Sequence, residues 1–169
     1  MIKKVSEGVH AFFFVDPGGT SGVAAAHIEL KGTLKKTLQE GVLMKKSVEV
    51  KGKWFDQAKE ISDMAIRFLF TAQVERGIPA QNIYIGFENY TRRPGAYDNN
   101  LEPVYVTAAT SAFLWVHDRE LDFIMAEPSQ AKTFATNERL KLWGLYEVGS
   151  EHKRDAYRHL ALCVNTVLA

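Results

Sequence analysis

Two hydrophobic patterns alternate along the chain. Ala11, Phe12, Phe13, Phe14 and Val15 form an unbroken apolar run rich in aromatic and β-branched residues, the pattern of a central strand covered on both faces. It stops at Asp16-Pro17-Gly18-Gly19, a turn sequence. Residues 20–30 read as a second strand, and Lys31-Gly32-Thr33 as a hairpin turn into a third strand around residues 39–50. The period then changes. Phe55, Ala58, Ile61, Ala65, Phe68 and Ala72 recur at three- and four-residue steps, with Lys59, Glu60, Asp63 and Arg67 between them. This predicts an amphipathic helix over 54–76 that ends near Gly77 and Pro79.

Ile83 to Phe87 is another buried-strand pattern, and it also ends in a carboxylate, Glu88. A polar loop is expected over 91–103. Residues 104–117 are apolar almost all round and include the small residues Ala108, Ala109, Ser111 and Ala112, which predicts a helix buried in the core or in a subunit interface. A short strand over 121–126, a helical turn over 128–134 and a last helix over 150–168 complete the chain. The order β-β-β-α-β-α-β-α predicts an α/β fold, a mixed five-stranded sheet with helices on both faces, as one domain over 1–169.

Composition narrows the class. With 46% hydrophobic and 24% charged residues, the chain has enough apolar side chains for a real core and is not a disordered polyampholyte. Its single cysteine, Cys163, excludes a disulfide-stapled scaffold and a cysteine-rich zinc site. The polar stretch after Met1 and the absence of a long apolar run predict a cytoplasmic protein without a membrane partner. Lys and Arg number 21 against 20 Asp and Glu, a net charge of +1, so overall charge does not point to a polyanion.

The placement of the acids is more informative. Asp16 ends one buried strand and Glu88 another, and ligands of open α/β sheets sit beyond the carboxyl ends of the strands. On the last helix His152, Asp155 and His159 share one face, beside an apolar stripe of Ala156, Leu160, Cys163 or Val164, and Val167. Packing of that stripe would hold Asp155 and His152 over the strand ends. Three carboxylates and a histidine suit Mg²⁺ or Mn²⁺, and two such ions about 4 Å apart support in-line phosphodiester displacement. Taken singly, the parts have plainer explanations. Asp-Pro-Gly is an ordinary turn, Asp155 a first-turn dipole partner, and His152 and His159 surface residues. Glu88 is harder to explain away, because an acid at a buried strand end is costly unless paired or metal-bound.

Four segments, in order, resemble the RuvC family of Holliday-junction resolvases, within the ribonuclease H-like nucleases. Phe12 to Gly22 (FFFVDPGGTSG) resembles the opening strand and its Asp-Pro-Gly turn. Ile85-Gly86-Phe87-Glu88 resembles the strand that delivers the second acid. Ala126 to Lys132 (AEPSQAK) resembles a polar segment that usually includes a lysine, and His152 to Leu162 (HKRDAYRHLAL) the closing helix. The resemblance implies a ribonuclease H-like fold and a homodimeric, metal-dependent endonuclease for branched DNA. Asp16, Glu88 and Asp155 would bind two Mg²⁺ or Mn²⁺ ions, with His152 as a fourth ligand or a group positioning the nucleophile. Family members often carry a stacking aromatic just past the second acid, where this chain offers Tyr90 or Tyr97. Its glycine-rich turn lacks a basic residue, which fits a phage-type member that also takes flaps, forks and three-way junctions.

DNA binding requires clustered bases more than a net excess. Arg92 and Arg93, beside Tyr90 and Tyr97, suit phosphate clamping and base stacking. Lys132, Lys153, Arg154 and Arg158 are expected to line the same cleft. The lysine-rich stretch from Lys31 to Lys53 reads equally as a solvated edge hairpin. Two other readings stand beside the nuclease. One is an inactive DNA-binding module of the same fold. The other is an actin-like or sugar-kinase-type nucleotide-binding domain, suggested by Asp16-Pro-Gly-Gly-Thr20. The latter needs two domains around the nucleotide, for which 169 residues are too few.

Overall fold

Phe12, Phe13 and Phe14 are all buried because successive strand residues enter different cores. Phe12 and Phe14 join Ala24, Ala26 and Tyr84 on one face of the sheet. Phe13 joins Val23, Ala25, Ile85 and Phe87 on the other. The computed structural model describes residues 7–90 and 101–169. Its strands are β1 (Glu7–Asp16), β2 (Thr20–Lys31), β3 (Val42–Lys51), β4 (Ile83–Glu88) and β5 (Phe123–Ala126). They form one sheet in the order β3-β2-β1-β4-β5. Pairing is antiparallel between β1 and β2 and between β2 and β3, and parallel between β1 and β4 and between β4 and β5. The expected mixed five-stranded α/β sheet is what forms.

Helices α1 (Leu34–Glu40), α4 (Pro128–Phe134), α5 (Asn137–Leu142) and α6 (Glu151–Leu168) lie on the Phe12 side, and α2 (Trp54–Phe70) and α3 (Glu102–His117) on the Phe13 side. The apolar stripe on α6 is buried as predicted, with Ala156, Leu160 and Val164 fully enclosed. No helix among the described residues is long and apolar enough to cross a membrane.

Three local expectations are corrected. The segment after Gly32 is not a hairpin turn, because α1 intervenes between β2 and β3. Thr33 caps α1 through its side chain, and Leu38 and Thr37 are buried, with Thr37 Oγ1 accepting a hydrogen bond from the Lys31 amide at 2.8 Å. Helix α5 was not anticipated; Thr136 caps it in the same way. Helix α3 is not buried all round. Val106, Thr110 and Leu114, at four-residue spacing, face the core, while Tyr105, Phe113, Trp115 and Val116 are exposed.

His27 of β2 is fully buried against Phe68, and neither ring nitrogen has a hydrogen-bond partner. Burial, aided by the charge of Arg76, pushes its imidazole down to about 4. Between about pH 6.5 and 4 the unfolded chain therefore takes up a proton that the folded chain refuses. Folding stability should fall through that window by up to about 3 kcal/mol from this group. His27→Leu should lose less stability than wild type between pH 7 and pH 4.5 in urea unfolding. Parallel stability curves for the two proteins would refute this.

Candidate active site

Strand register brings the acids together. Asp16 on β1 pairs with Gly22 on β2, which pairs with Glu49 on β3. One step beyond the last parallel pair, Val15 with Phe87, the same row reaches Glu88, which pairs with Ala126 on β5. Residues in one row point to the same face. Asp16 and Glu88 therefore project from adjacent strands toward α6, where the parallel strands end.

Helix α6 crosses this row. Its start fits against β2 only because Gly22 has no side chain. A Cβ there would overlap the backbone carbonyl of His152. Ser150 caps the helix, accepting a hydrogen bond from the Lys153 amide, and its hydroxyl donates to Glu49 at 2.5 Å. From this anchored start His152 Nδ1 reaches Asp16 Oδ2 at 3.0 Å. Two turns later His159 Nε2 reaches Glu88 Oε2 at 2.6 Å. Between them lies Asp155, buried, with Lys132 Nζ at 3.1 Å from Oδ2 and Arg158 bonded to Oδ1.

The electrostatics mark one coupled cluster. Burial pushes the Asp16 carboxyl above its usual range; the hydrogen bond from His152 opposes this, and the charges of Glu88 and Asp155 add to it. The His152 imidazole is raised by its hydrogen bond to Asp16, against its own partial burial, with Glu49 and Asp155 contributing. Burial works against the charged form of Lys132. Its hydrogen bond to Asp155 and the charges of Asp155, Glu88 and Asp16 outweigh it and raise its pKa. Lys132 thus senses all three acids. Each carboxylate has a side-chain partner: His152 for Asp16, His159 for Glu88, and Lys132 with Arg158 for Asp155. Among the described residues, no three His, Cys, Asp or Glu side chains are drawn up around a single ion-binding point.

Asp16, Glu88, His152 and Asp155 are gathered at one end of the sheet, and Lys132 joins them. Arg158 does not line an open cleft. It is buried, its Nε donating to the Ala135 carbonyl at 3.1 Å and Nη2 to Asn137 Oδ1 at 2.6 Å. These contacts tie Asp155 to the α4–α5 junction. Arg154 stacks over Tyr146 and donates to the Glu147 carbonyl at 2.9 Å. Lys153 and Tyr90 are half-buried. Arg92, Arg93 and Tyr97 lie outside the described residues. Lys45, Lys46 and Lys51 are exposed on β3, an edge strand, in keeping with the edge-protection reading.

Sequence reasoning undervalued His159, which is 1% exposed. Its seven-residue spacing from His152 was the available signal. Glu49 carried no such signal, because its nearness to the site comes from the β2–β3 register.

The structure is similar to Thermus thermophilus RuvC in complex with a Holliday junction substrate, with a TM-score of 0.57 at 15% identity over 93% of this chain and 94% of that chain. The fold is that of RuvC. A second Thermus thermophilus RuvC structure superposes with a TM-score of 0.60 at 16% identity, covering 92% of this chain and 95% of the other. No protein-family model matches the chain, and no curated protein matches its sequence.

Proposed function

We propose that the protein is a metal-dependent endonuclease that cuts branched DNA, four-way junctions first and flaps or forks as well. The observation that carries this reading is the convergence of Asp16, Glu88 and Asp155, from two adjacent strands and one helix, at the end of a sheet with the RuvC fold. A solved structure with this fold is a complex with a Holliday junction.

The donor set fits a hard divalent cation in its chemistry, since carboxylate oxygens with one imidazole are Mg²⁺ or Mn²⁺ ligands. The repulsion that Glu88 and Asp155 exert on Asp16 is also what such a cation relieves. Asp16, Glu88, Asp155 and His152 would hold a pair of ions, displacing Lys132 from Asp155. When bound, the cations would supply an activated water and charge stabilisation at the leaving oxygen. The protein's own residues set the stage. Gly22 and Ser150 seat α6, Arg158 holds Asp155, and the buried floor of Phe12 and Phe14 keeps the strands in register. Lys132, half exposed, is free to turn toward a phosphate once Asp155 is otherwise engaged.

Lys153, Arg154 and Tyr90, with Arg92, Arg93 and Tyr97, are assigned to DNA binding. Arg92→Ala with Arg93→Ala should weaken binding to all sequences and lower the slope of log affinity against log salt by about 2. An unchanged slope would remove both residues from the interface. The exposed apolar side of α3 is assigned to a second copy of the chain, giving two active sites for two strands. Val116, 77% exposed, is the position where a glutamate should convert a dimer to monomer in sedimentation.

The test of the whole reading is a cleavage panel of Holliday junction, flap, fork and linear duplex, with Mg²⁺ and with chelator. Metal-dependent cutting of branched substrates over duplex is expected. Cutting that survives chelation, or none on any branched substrate, sinks it. ATP hydrolysis in place of cleavage would favour the nucleotide-binding domain.

A further inference from the structure

Each acid of the site has its own side-chain partner, and the partner of Glu88 is the most enclosed. His159 is 1% exposed, and its Nε2 donates to Glu88 Oε2 at 2.6 Å. Its other ring nitrogen, Nδ1, is buried without a partner. The imidazole therefore has a single polar contact, and that contact is the acid. Among the described residues Glu88 Oε1 accepts no hydrogen bond, so one carboxylate oxygen is fixed and the other left available. The helix that carries it is packed on the sheet through a core that includes Tyr84, Ala156, Leu160 and Cys163. A polar residue sits there at the expense of apolar packing, and the hydrogen bond to Glu88 is what offsets it.

We propose that His159 is a positioning residue for Glu88, orienting its free oxygen for the divalent cation. This rests on the metal-nuclease reading and deepens it. A glutamate at the end of a strand has three side-chain torsions to fix before it can serve as a ligand. A buried donor on a rigid helix fixes them in advance, lowering the entropic cost of binding. The same helix holds Asp16 through His152 two turns earlier, so α6 sets the relative placement of the two strand-borne acids as one rigid part. Loss of a hydrogen-bonding partner of this kind typically costs about tenfold to hundredfold in metal affinity.

The test measures Mn²⁺ affinity without DNA, in wild type, His159→Leu and His159→Gln, with circular dichroism as the check on folding. His159→Leu should bind Mn²⁺ about tenfold or more weakly. His159→Gln, whose amide can donate to the same oxygen, should recover most of the loss. In a Glu88→Gln background, His159→Leu should add nothing further, because the two changes act through one contact. In the wild-type protein the His159 ring nitrogens, followed by NMR, should shift as Mg²⁺ is added. That measurement decides the matter even where the leucine variant does not fold. Equal Mn²⁺ affinity in wild type and a folded His159→Leu, equal weakening in the leucine and glutamine variants, or a ring signal unmoved at saturating Mg²⁺ each overturns the positioning role while leaving the metal site standing. Absence of Mn²⁺ binding to the wild type overturns both.

Discussion

Asp16→Asn, Glu88→Gln and Asp155→Asn should each reduce Mg²⁺-dependent junction cleavage by about a thousandfold or more, equivalent to about 4 kcal/mol of transition-state stabilisation. Junction binding, measured in Ca²⁺ or chelator, should persist, because the basic and aromatic residues proposed for it lie outside the acid row. Stability should separate the three. Burial raises the Asp16 carboxyl, so folding at neutral pH works against its charge. Removing that charge should leave the melting temperature equal to wild type or higher, the stability–activity trade-off expected of a functional carboxylate. Asp155 is the opposite case. It is buried between Lys132 and Arg158, and Asp155→Asn leaves the Arg158 guanidinium without its counter-charge. Unpairing a buried ion costs about 3 kcal/mol or more, so this variant should melt well below wild type. The assignment fails if any of the three variants cuts like wild type. If Asp16→Asn unfolds more easily than Asp155→Asn, the electrostatic account of the site is wrong.

Gly22→Ala should be nearly as damaging, although Gly22 bears no functional group. Its Cβ would fall inside the backbone carbonyl of His152, and a backbone obstacle cannot turn aside as a flexible side chain can. The start of α6 must lift from β2. The Ser150–Glu49 bond and the 3.0 Å contact between His152 and Asp16 are lost with that movement. Overpacking of this kind costs about 3 kcal/mol, which lowers the melting temperature by roughly 10 °C in a chain of this size. Cleavage should fall further than stability, since the part of the fold that shifts carries His152 and Asp155. A melting temperature and cleavage rate like wild type in Gly22→Ala would show that α6 is not seated through this glycine.

Much of this site could be read along the chain. Asp16 and Glu88 stood out because each terminates an apolar run, and a carboxylate at the end of a strand buried on both faces has few structural uses. The face shared by His152, Asp155 and His159 followed from helical spacing, and the buried stripe beside it from periodicity. Helix α1 did not stand out, because Lys-Gly-Thr suits a hairpin turn as well as a helix cap. Only Leu38 packing under the sheet and the Thr37 hydroxyl receiving the Lys31 amide select the helix.

Arg158 and His159 show the division most plainly. By spacing alone Arg158 is as good a DNA contact as Lys153, and His159 as good a surface residue as any. Their roles depend on which elements lie above α6. The Ala135 carbonyl and Asn137 take up Arg158, and the end of β4 brings Glu88 to His159. What the chain determined by itself was the five strands and the longer helices, the two-sided core and the residue types of the site, because hydrophobic periodicity and strand-end chemistry are local. What only the tertiary structure decided was the pairing of each acid with its side-chain partner. A hydrogen bond between residues 71 or 136 positions apart is set by strand register and by one glycine that lets a helix approach the sheet, and neither has a local signature.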